Sequence, residues 1–220
     1  GWSLQSHAAS NSSSMQSIRQ QAWDFVIIQA QSQEPSFPPL QVEDQTYPYA
    51  AILVDSILEN DICTEPMFFM TWGRKNGDAV NGVGYPQIAT YLGMQQRLRE
   101  SYLEMAFDND ASVSPVGMAW KRSIAENPDF ELYNSDESHP SVAGSYLTAC
   151  VFYSAIFKES CEGSNYYPND ITAEEAANLQ QIASEVVLDS LATWNIFAVQ
   201  DASVEQFEAT FTFNFEATNY

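Results

Sequence analysis

Three short apolar runs, separated by stretches with helical periodicity, constrain the fold of this chain most strongly. Residues 24–29 and 66–72 each hold an apolar run with β-branched or aromatic side chains, which is typical of buried strands. Residues 112–118 form a third run, and because it contains Pro115 we expect this strand to end early or to lie near an edge. Helices are predicted over residues 10–22, 46–60, 88–106, 141–157 and 172–192. This order predicts an α/β fold in which helices cover both faces of a parallel sheet.

The C-terminal segment departs from this rhythm. Between residues 207 and 215 every second side chain is apolar, which predicts a half-buried strand. We therefore expect residues 1–200 to form the domain that carries the parallel sheet, and residues 201–220 to add an edge or exchange strand. Within the first of these segments, Thr172 and Glu175 have the spacing of a capping box, which favours the start of a helix near Thr172.

The charge balance excludes several classes of partner. Eight basic and 29 acidic residues give the chain a net charge of −21. Phosphate backbones and anionic membrane surfaces repel such a chain, so we expect neither nucleic acid nor membrane as a partner. No apolar run approaches the ~20 residues that a membrane span requires. The three cysteines, Cys63, Cys150 and Cys161, match no zinc spacing, and we expect no metal and no other cofactor. They form either one disulfide beside a free thiol or three buried thiols.

An Asp-x-x-His-Pro-x-x-x-Gly motif from Asp136 to Gly144 carries the strongest chemical signal. Asp136 and His139 stand three residues apart, just ahead of a predicted helix, so the carboxylate can orient the imidazole. A hydrolase that activates a serine hydroxyl needs such a pair, because a base must take the proton and an anion must stabilise the charged base. Pro140 favours the start of the helix. Gly144 costs about 1 kcal/mol relative to alanine inside a helix, so we expect a packing reason for it.

Two loops are predicted to converge on this pair. In open parallel sheets, ligands bind beyond the carboxyl ends of the strands, where residues 29–32, residues 72–75 and the Asp136 loop are expected to lie.

Three residues near this edge have two possible roles each. Trp72 is either half-buried at the end of a strand or the floor of an acyl or sugar pocket. Arg74 is either a solvated charge or an anchor for an acidic group on the substrate. His7, the second of two histidines, is either a surface residue at a helix start or a pocket residue.

The motif and several other segments resemble the signature blocks of the SGNH-type (GDSL-like) esterases and acylhydrolases. The Asp136–Gly144 motif, with Ser145-Tyr146-Leu147 behind it, is similar to the last block of that family. Four further segments resemble a subgroup whose third block has a Gln-x-Gln-Ser pattern, and they cover residues 1–7, 23–32, 69–73 and 114–117. The resemblance spans about residues 1–158. It implies a flavodoxin-like three-layer α/β/α sandwich.

The resemblance implies hydrolysis of an ester of a small molecule or a glycan, in the manner of a serine esterase or acetylesterase. A serine would attack the carbonyl, His139 would take the proton and Asp136 would stabilise the imidazolium. Preorganised N–H donors would stabilise the oxyanion, and by position these are Gln31, Gln29 and Gly1. The expected pocket residues are Ser32, Trp72, Arg74 and His7. We expect the protein to be secreted or periplasmic.

No segment of this sequence resembles the block that carries the serine nucleophile in that family. In the family it lies in a first block, on the first strand, whereas neither Gly-Asp-Ser nor Gly-Asn-Ser occurs in this sequence. The early serines are interpreted as helix caps and surface residues: Ser3, Ser6, Ser10, Ser12, Ser13 and Ser14. Three explanations stay open. The chain is a fragment of a longer enzyme, a separate chain completes the sheet, or the protein is an inactive SGNH-like scaffold or assembly subunit.

A missing first strand has a structural consequence. That strand is central in this fold, so its neighbours would lose ladder partners at a cost of ~1–3 kcal/mol for each unpaired buried group. We therefore expect another segment or a partner chain to fill the gap, and residues 207–215 are one candidate.

Overall fold

The computed structural model describes residues 1–197, in which a three-stranded parallel sheet is surrounded by helices. The strands are β1 (Phe25–Ile28), β2 (Glu65–Phe69) and β3 (Ser112–Ser114), in the spatial order β1-β2-β3. Phe25 pairs with Glu65, and Met67 pairs with Ser112. The predicted α/β class with a parallel sheet is confirmed. The strand predicted over residues 207–215 lies outside the described residues.

Helices cover both faces of the sheet. They are α1 (Leu4–Ala8), α2 (Ser13–Ile18), α3 (Pro39–Gln45), α4 (Tyr47–Asn60), α5 (Tyr91–Asp108), α6 (Val116–Glu126), α7 (Val142–Phe157) and α8 (Ala173–Leu188), with short 3₁₀ turns at Glu34–Ser36, Asn81–Val83 and Pro86–Ala89. Successive side chains of a strand point to opposite faces. Phe69 packs edge-on against Phe152 of α7, with ring centroids 4.9 Å apart. Phe68 points the other way and is fully buried, so the opposite face is covered as well.

Several element boundaries differ from the sequence prediction. The third strand, predicted over residues 112–118, ends at Ser114, because Pro115 precedes α6 and the apolar residues that follow are helical. Neither α6 nor α1 is predicted from the sequence, and α1 has only five residues, too few to show a period. The helix predicted over residues 10–22 is shortened to α2, where Ser12 Oγ accepts a hydrogen bond from the Met15 amide.

Two local predictions about helices are confirmed. Thr172 Oγ1 accepts a hydrogen bond from the Glu175 amide at 3.2 Å, and Glu175 Oε2 accepts one from the Thr172 amide at 2.6 Å, which completes the capping box of α8. Gly144 of α7 has the expected packing reason. A Cβ at this position would lie 2.3 Å from the Leu132 carbonyl oxygen and 2.6 Å from the Trp120 ring, so no larger residue fits without a shift.

The two edges of the sheet differ in coverage. Beside β3, the Val113 amide donates to the Trp194 carbonyl at 2.8 Å, and Asn195 Nδ2 donates to the Ala111 carbonyl at 3.0 Å. Beside β1, no backbone partner occupies the outer side within residues 1–197, and Ile27 is 40% exposed. The prediction that residues 24–29 form a buried strand is therefore wrong for this part of the chain, where β1 is a partly exposed edge strand.

No helix within the described range is long and apolar enough to cross a membrane.

Candidate active site

The Asp136 carboxylate fixes the His139 imidazole from one side. Asp136 Oδ2 lies 2.5 Å from His139 Nδ1, while Asp136 Oδ1 accepts hydrogen bonds from the amides of Ser138 at 3.0 Å and His139 at 2.9 Å. The hydrogen bond from the His139 ring, followed by the two amide hydrogen bonds, lowers the pKa of Asp136 to about 2. The imidazole is 77% exposed, so its opposite side is open.

The backbone of the motif forms a tight loop that holds this pair. The Asn134 amide donates to the His139 carbonyl at 2.8 Å, and an antiparallel bridge joins Tyr133 and Pro140. Glu137 at the tip has a φ of 58°, in the left-handed region that non-glycine residues rarely adopt. Ser141 then caps α7, because its Oγ accepts a hydrogen bond from the Gly144 amide at 3.1 Å. The turn thus ends directly in a helix, which orients the loop relative to the sheet.

The loop after β2 anchors the motif to the sheet. Trp72 Nε1 donates to the Ser138 carbonyl at 3.0 Å, and the Lys75 amide donates to the Glu137 carbonyl at 3.0 Å. The Trp72 ring stacks on Trp120, with centroids 4.0 Å apart and planes inclined by 2°. Trp72 is half-buried in the loop that follows β2, three residues beyond the end of the strand, and it also lines the groove described next.

A groove of about 960 Å³ runs beside β1 and reaches the His139 loop. Eight of the nine residues predicted for the site line it: Gly1, His7, Gln29, Gln31, Ser32, Trp72, Arg74 and His139. Asp136 does not line the groove but contacts Nδ1 of His139. A Cβ built on Gly1 would lie 3.7 Å from Gln31 Cγ, so these two residues are neighbours. No aspartate or glutamate is found among the described residues that line the groove, although the chain has 29 of them.

The predicted oxyanion donors differ in how firmly they are held. Gln31 Oε1 accepts hydrogen bonds from the amides of Gln33 at 2.8 Å and Glu34 at 3.3 Å, so the side chain folds back on its own turn. Gln29 is exposed at the end of β1.

Arg74, a predicted pocket residue, is only partly paired. Its Nη1 lies 3.9 Å from Asp78 Oδ1, and its side chain is 35% exposed, so Arg74 is neither fully solvated nor fully neutralised.

His7 contacts a serine that the sequence does not single out. His7 Nδ1 lies 2.6 Å from Ser14 Oγ, and both residues line the groove. The turn between α1 and α2 brings His7 and Ser14 together, and their spacing of seven residues gives no sequence signal for this contact.

Ser3 and Ser12 cap α1 and α2, as interpreted from the sequence. Within residues 1–197 the His139 ring hydrogen-bonds to no side chain other than Asp136, so no described serine is paired with it.

Two solved structures are similar to this chain, whereas no protein-family model and no curated protein matches it. A DUF4886 family protein from Bacteroides uniformis ATCC 8492 is 17% identical, with a TM-score of 0.69 over 85% of this chain and 80% of that chain. A protein from Slackia heliotrinireducens that is assigned to the SGNH hydrolases is 26% identical, with a TM-score of 0.56 over 69% of this chain and 78% of that chain. The fold is SGNH-like. This similarity supports a function of the hydrolase type, whereas the Gln-x-Gln-Ser subgroup and the absence of a first block stay predictions.

Proposed function

We propose that this chain carries the base of a serine-dependent ester hydrolase, with Asp136 and His139 as the catalytic pair. The observation that supports this most directly is the 2.5 Å contact between Asp136 Oδ2 and His139 Nδ1. A carboxylate on Nδ1 fixes the neutral imidazole with its proton on that nitrogen, so Nε2 accepts the proton of the attacking hydroxyl. The low pKa of Asp136 keeps its negative charge at neutral pH, and this charge stabilises the imidazolium that forms.

We place the serine nucleophile along the outer edge of β1, which has no partner strand among residues 1–197. The groove follows the outer side of β1 past Phe25, Val26 and Ile27 and reaches His139 at the carboxyl end of the strand. An extended segment paired with this edge would satisfy the outer backbone groups of β1 and would end beside the imidazole. The segment belongs either to another part of the same protein or to a partner chain. Residues 207–215 stay a candidate for completing the sheet, but they contain no serine, so in that role they would not supply the nucleophile.

The substrate that fits this arrangement is an ester of a small molecule or a glycan, acetate esters of glycans included. The tetrahedral oxyanion would be stabilised by the Gln31 side-chain amide and by the backbone at Gly1, since donors fixed in advance stabilise charge that develops in the transition state. Trp72, Arg74 and Ser32 line the same groove as His139, and Trp72 contacts the His139 loop through the Ser138 carbonyl. Arg74 is the cation available there for an acidic group on the substrate.

Hydrolysis of 4-nitrophenyl acetate by the native protein tests this proposal. We expect His139→Ala to lower kcat/KM by about 10²–10⁴-fold, because general-base catalysis contributes that much. Thr172→Ala, which alters the cap of α8, serves as a control and should leave kcat/KM unchanged. Equal rates for the wild type and His139→Ala would contradict the assignment of the base.

Labelling with a fluorophosphonate probe, followed by peptide mass spectrometry, tests where the serine lies. We expect the label on a serine of the segment that pairs with β1. A label on Ser14, abolished by Ser14→Ala and by His7→Ala, would overturn this placement and identify these two residues as the nucleophile and its base. A folded protein that neither takes the label nor hydrolyses the ester would support the alternative function, an inactive SGNH-like scaffold or assembly subunit.

A further inference from the structure

Asp78 is a buried carboxylate that the proposed mechanism does not use. It is 0% exposed. Its Oδ2 accepts hydrogen bonds from Gln33 Nε2 at 2.5 Å and Asn81 Nδ2 at 2.8 Å, and its Oδ1 accepts from the amides of Val80 at 3.2 Å and Asn81 at 3.0 Å. Burial raises the pKa of Asp78, but the hydrogen bonds from Asn81 and Gln33 and the charge of Arg74 outweigh it and lower the pKa below its ordinary value. Asp78 is therefore ionised at neutral pH.

An ionised Asp78 dictates how the Gln33 amide is turned. A carboxylate accepts hydrogen bonds and donates none, so Gln33 must present its NH₂ group to Asp78. The opposite atom, Gln33 Oε1, then faces Gln31 and accepts a hydrogen bond from Gln31 Nε2 at 3.3 Å. The orientation of one amide thus fixes that of the next.

The orientation of Gln31 is fixed at both ends. Its Oε1 accepts from the backbone amides of Gln33 and Glu34, and its Nε2 donates to Gln33 Oε1. A side-chain amide nitrogen carries two N–H groups, and only one of them is used by Gln33. The second N–H belongs to a residue that lines the same groove as His139.

We propose that Asp78 and Gln33 are positioning residues, which act through Gln31 by holding its NH₂ group as the oxyanion donor. This inference rests on the proposed function, because Gln31 is an oxyanion donor only if an ester is attacked in the groove. A side chain as long as glutamine needs such support, since an oxyanion donor is effective only when it is fixed before the reaction. Asp78 supplies the fixed end of the chain of hydrogen bonds, 45 residues away from Gln33 in the sequence.

NMR spectroscopy of the glutamine side-chain amides tests the orientation without any need for catalysis. In the wild type we expect the Gln31 Nε2 proton that is bonded to Gln33 to resonate downfield of the same proton in a free glutamine, because a hydrogen bond deshields it. Gln33→Leu and Asp78→Asn should both move this shift towards that of a free glutamine. Asn81→Ala is the matched control: it removes another donor to Asp78 Oδ2 and should leave the Gln31 signals in place. Unchanged Gln31 signals in folded Gln33→Leu would overturn the proposal, and this variant decides the outcome if Asp78→Asn does not fold.

A double-mutant cycle on ester hydrolysis tests the route of action. Gln31→Ala should lower kcat by about 10²–10³-fold with little change in KM, as expected for a donor that acts in the transition state. Asp78→Asn should lower kcat in the wild type and should have no further effect in the Gln31→Ala background. Independent, multiplicative losses would show that Asp78 does not act through Gln31. If the wild type hydrolyses no ester, the proposed function fails, whereas the NMR result still decides the orientation of Gln31.

Discussion

At the scale of single residues, the site depends on a carboxylate that is partly exposed and yet strongly held. Asp136 keeps its charge through hydrogen bonds rather than through burial, because its side chain is 49% exposed. Three donors, the His139 ring and the amides of Ser138 and His139, stabilise the ionised form. The sequence predicts this pair from spacing alone. It does not predict the two amide hydrogen bonds, which depend on the left-handed backbone at Glu137.

The pKa of Asp136 gives a direct prediction. We expect the carboxyl group to titrate near pH 2 in the wild type, below its ordinary value of 3.8, and to shift upwards in His139→Ala, because the first of its three hydrogen bonds is lost. Since the pKa is lowered by folding, the stabilising effect is fully present above the ordinary value and is lost as the pH falls through about 2. Carbon-13 NMR of the aspartate carboxyl groups measures both values. An unshifted Asp136 in His139→Ala would contradict the assignment.

Gly144 gives a second prediction at this scale. Gly144→Ala should lower the free energy of unfolding by up to about 2 kcal/mol. The new methyl group overpacks the contact with Leu132 and Trp120 at a cost of about 1–3 kcal/mol, and the gain in helix propensity of about 1 kcal/mol offsets only part of this cost. Gly84→Ala is the control, since a Cβ there would meet nothing nearer than 3.8 Å. Urea denaturation of the two variants measures the difference, and equal midpoints for Gly144→Ala and Gly84→Ala would contradict the predicted clash at Gly144.

At the scale of elements, periodicity predicts the long helices and fails for the short or apolar ones. The helices predicted over residues 46–60 and 141–157 match α4 and α7 to within about one residue. The apolar run Val116-Gly117-Met118 continues the pattern of β3, yet it is the first turn of α6. A short apolar run does not distinguish a strand from a buried helix, and Pro115 is compatible with both the end of one and the start of the other.

The capping box of α8 gives a prediction for a whole element. Thr172→Ala should lower the free energy of unfolding by about 1 kcal/mol, because the Glu175 amide at the start of the helix loses its acceptor, Thr172 Oγ1. Thr193 is exposed and its hydroxyl makes no hydrogen bond to the described residues, so Thr193→Ala is a suitable control. Thermal unfolding followed by circular dichroism compares the two variants. A loss in Thr193→Ala as large as that in Thr172→Ala would count against the cap.

At the scale of the whole molecule, the sequence predicts which loops meet but not how they are held. The rule for open parallel sheets predicts that residues 29–32 and residues 72–75 meet the Asp136 loop, and the structure places all three around one groove. The hydrogen bonds that fix them are long-range. Gln33 and Asp78 are 45 residues apart, and Trp72 and Ser138 are 66 apart, so no local pattern contains either pair.

The three cysteines give a prediction that concerns the folded state as a whole. All three are free thiols; Cys63 is exposed, whereas Cys150 and Cys161 are buried, so the prediction of three buried thiols is wrong. The interaction between the two buried thiols raises the pKa of Cys150 and lowers that of Cys161. We expect a maleimide reagent to modify Cys63 alone in the native protein and all three after unfolding. Mass spectrometry measures this, and a native mass lower by two hydrogens would instead reveal a disulfide.

The outer side of β1, which has no backbone partner among residues 1–197, also affects how this part of the chain behaves in solution. Its N–H and C=O groups and the exposed Ile27 form a template on which a second molecule can pair. The net charge of −21 opposes this encounter through mutual repulsion at neutral pH and low ionic strength. That protection disappears near the isoelectric point of about 4.1 and weakens in concentrated salt. We therefore expect association through β1 to be weakest at neutral pH and low ionic strength.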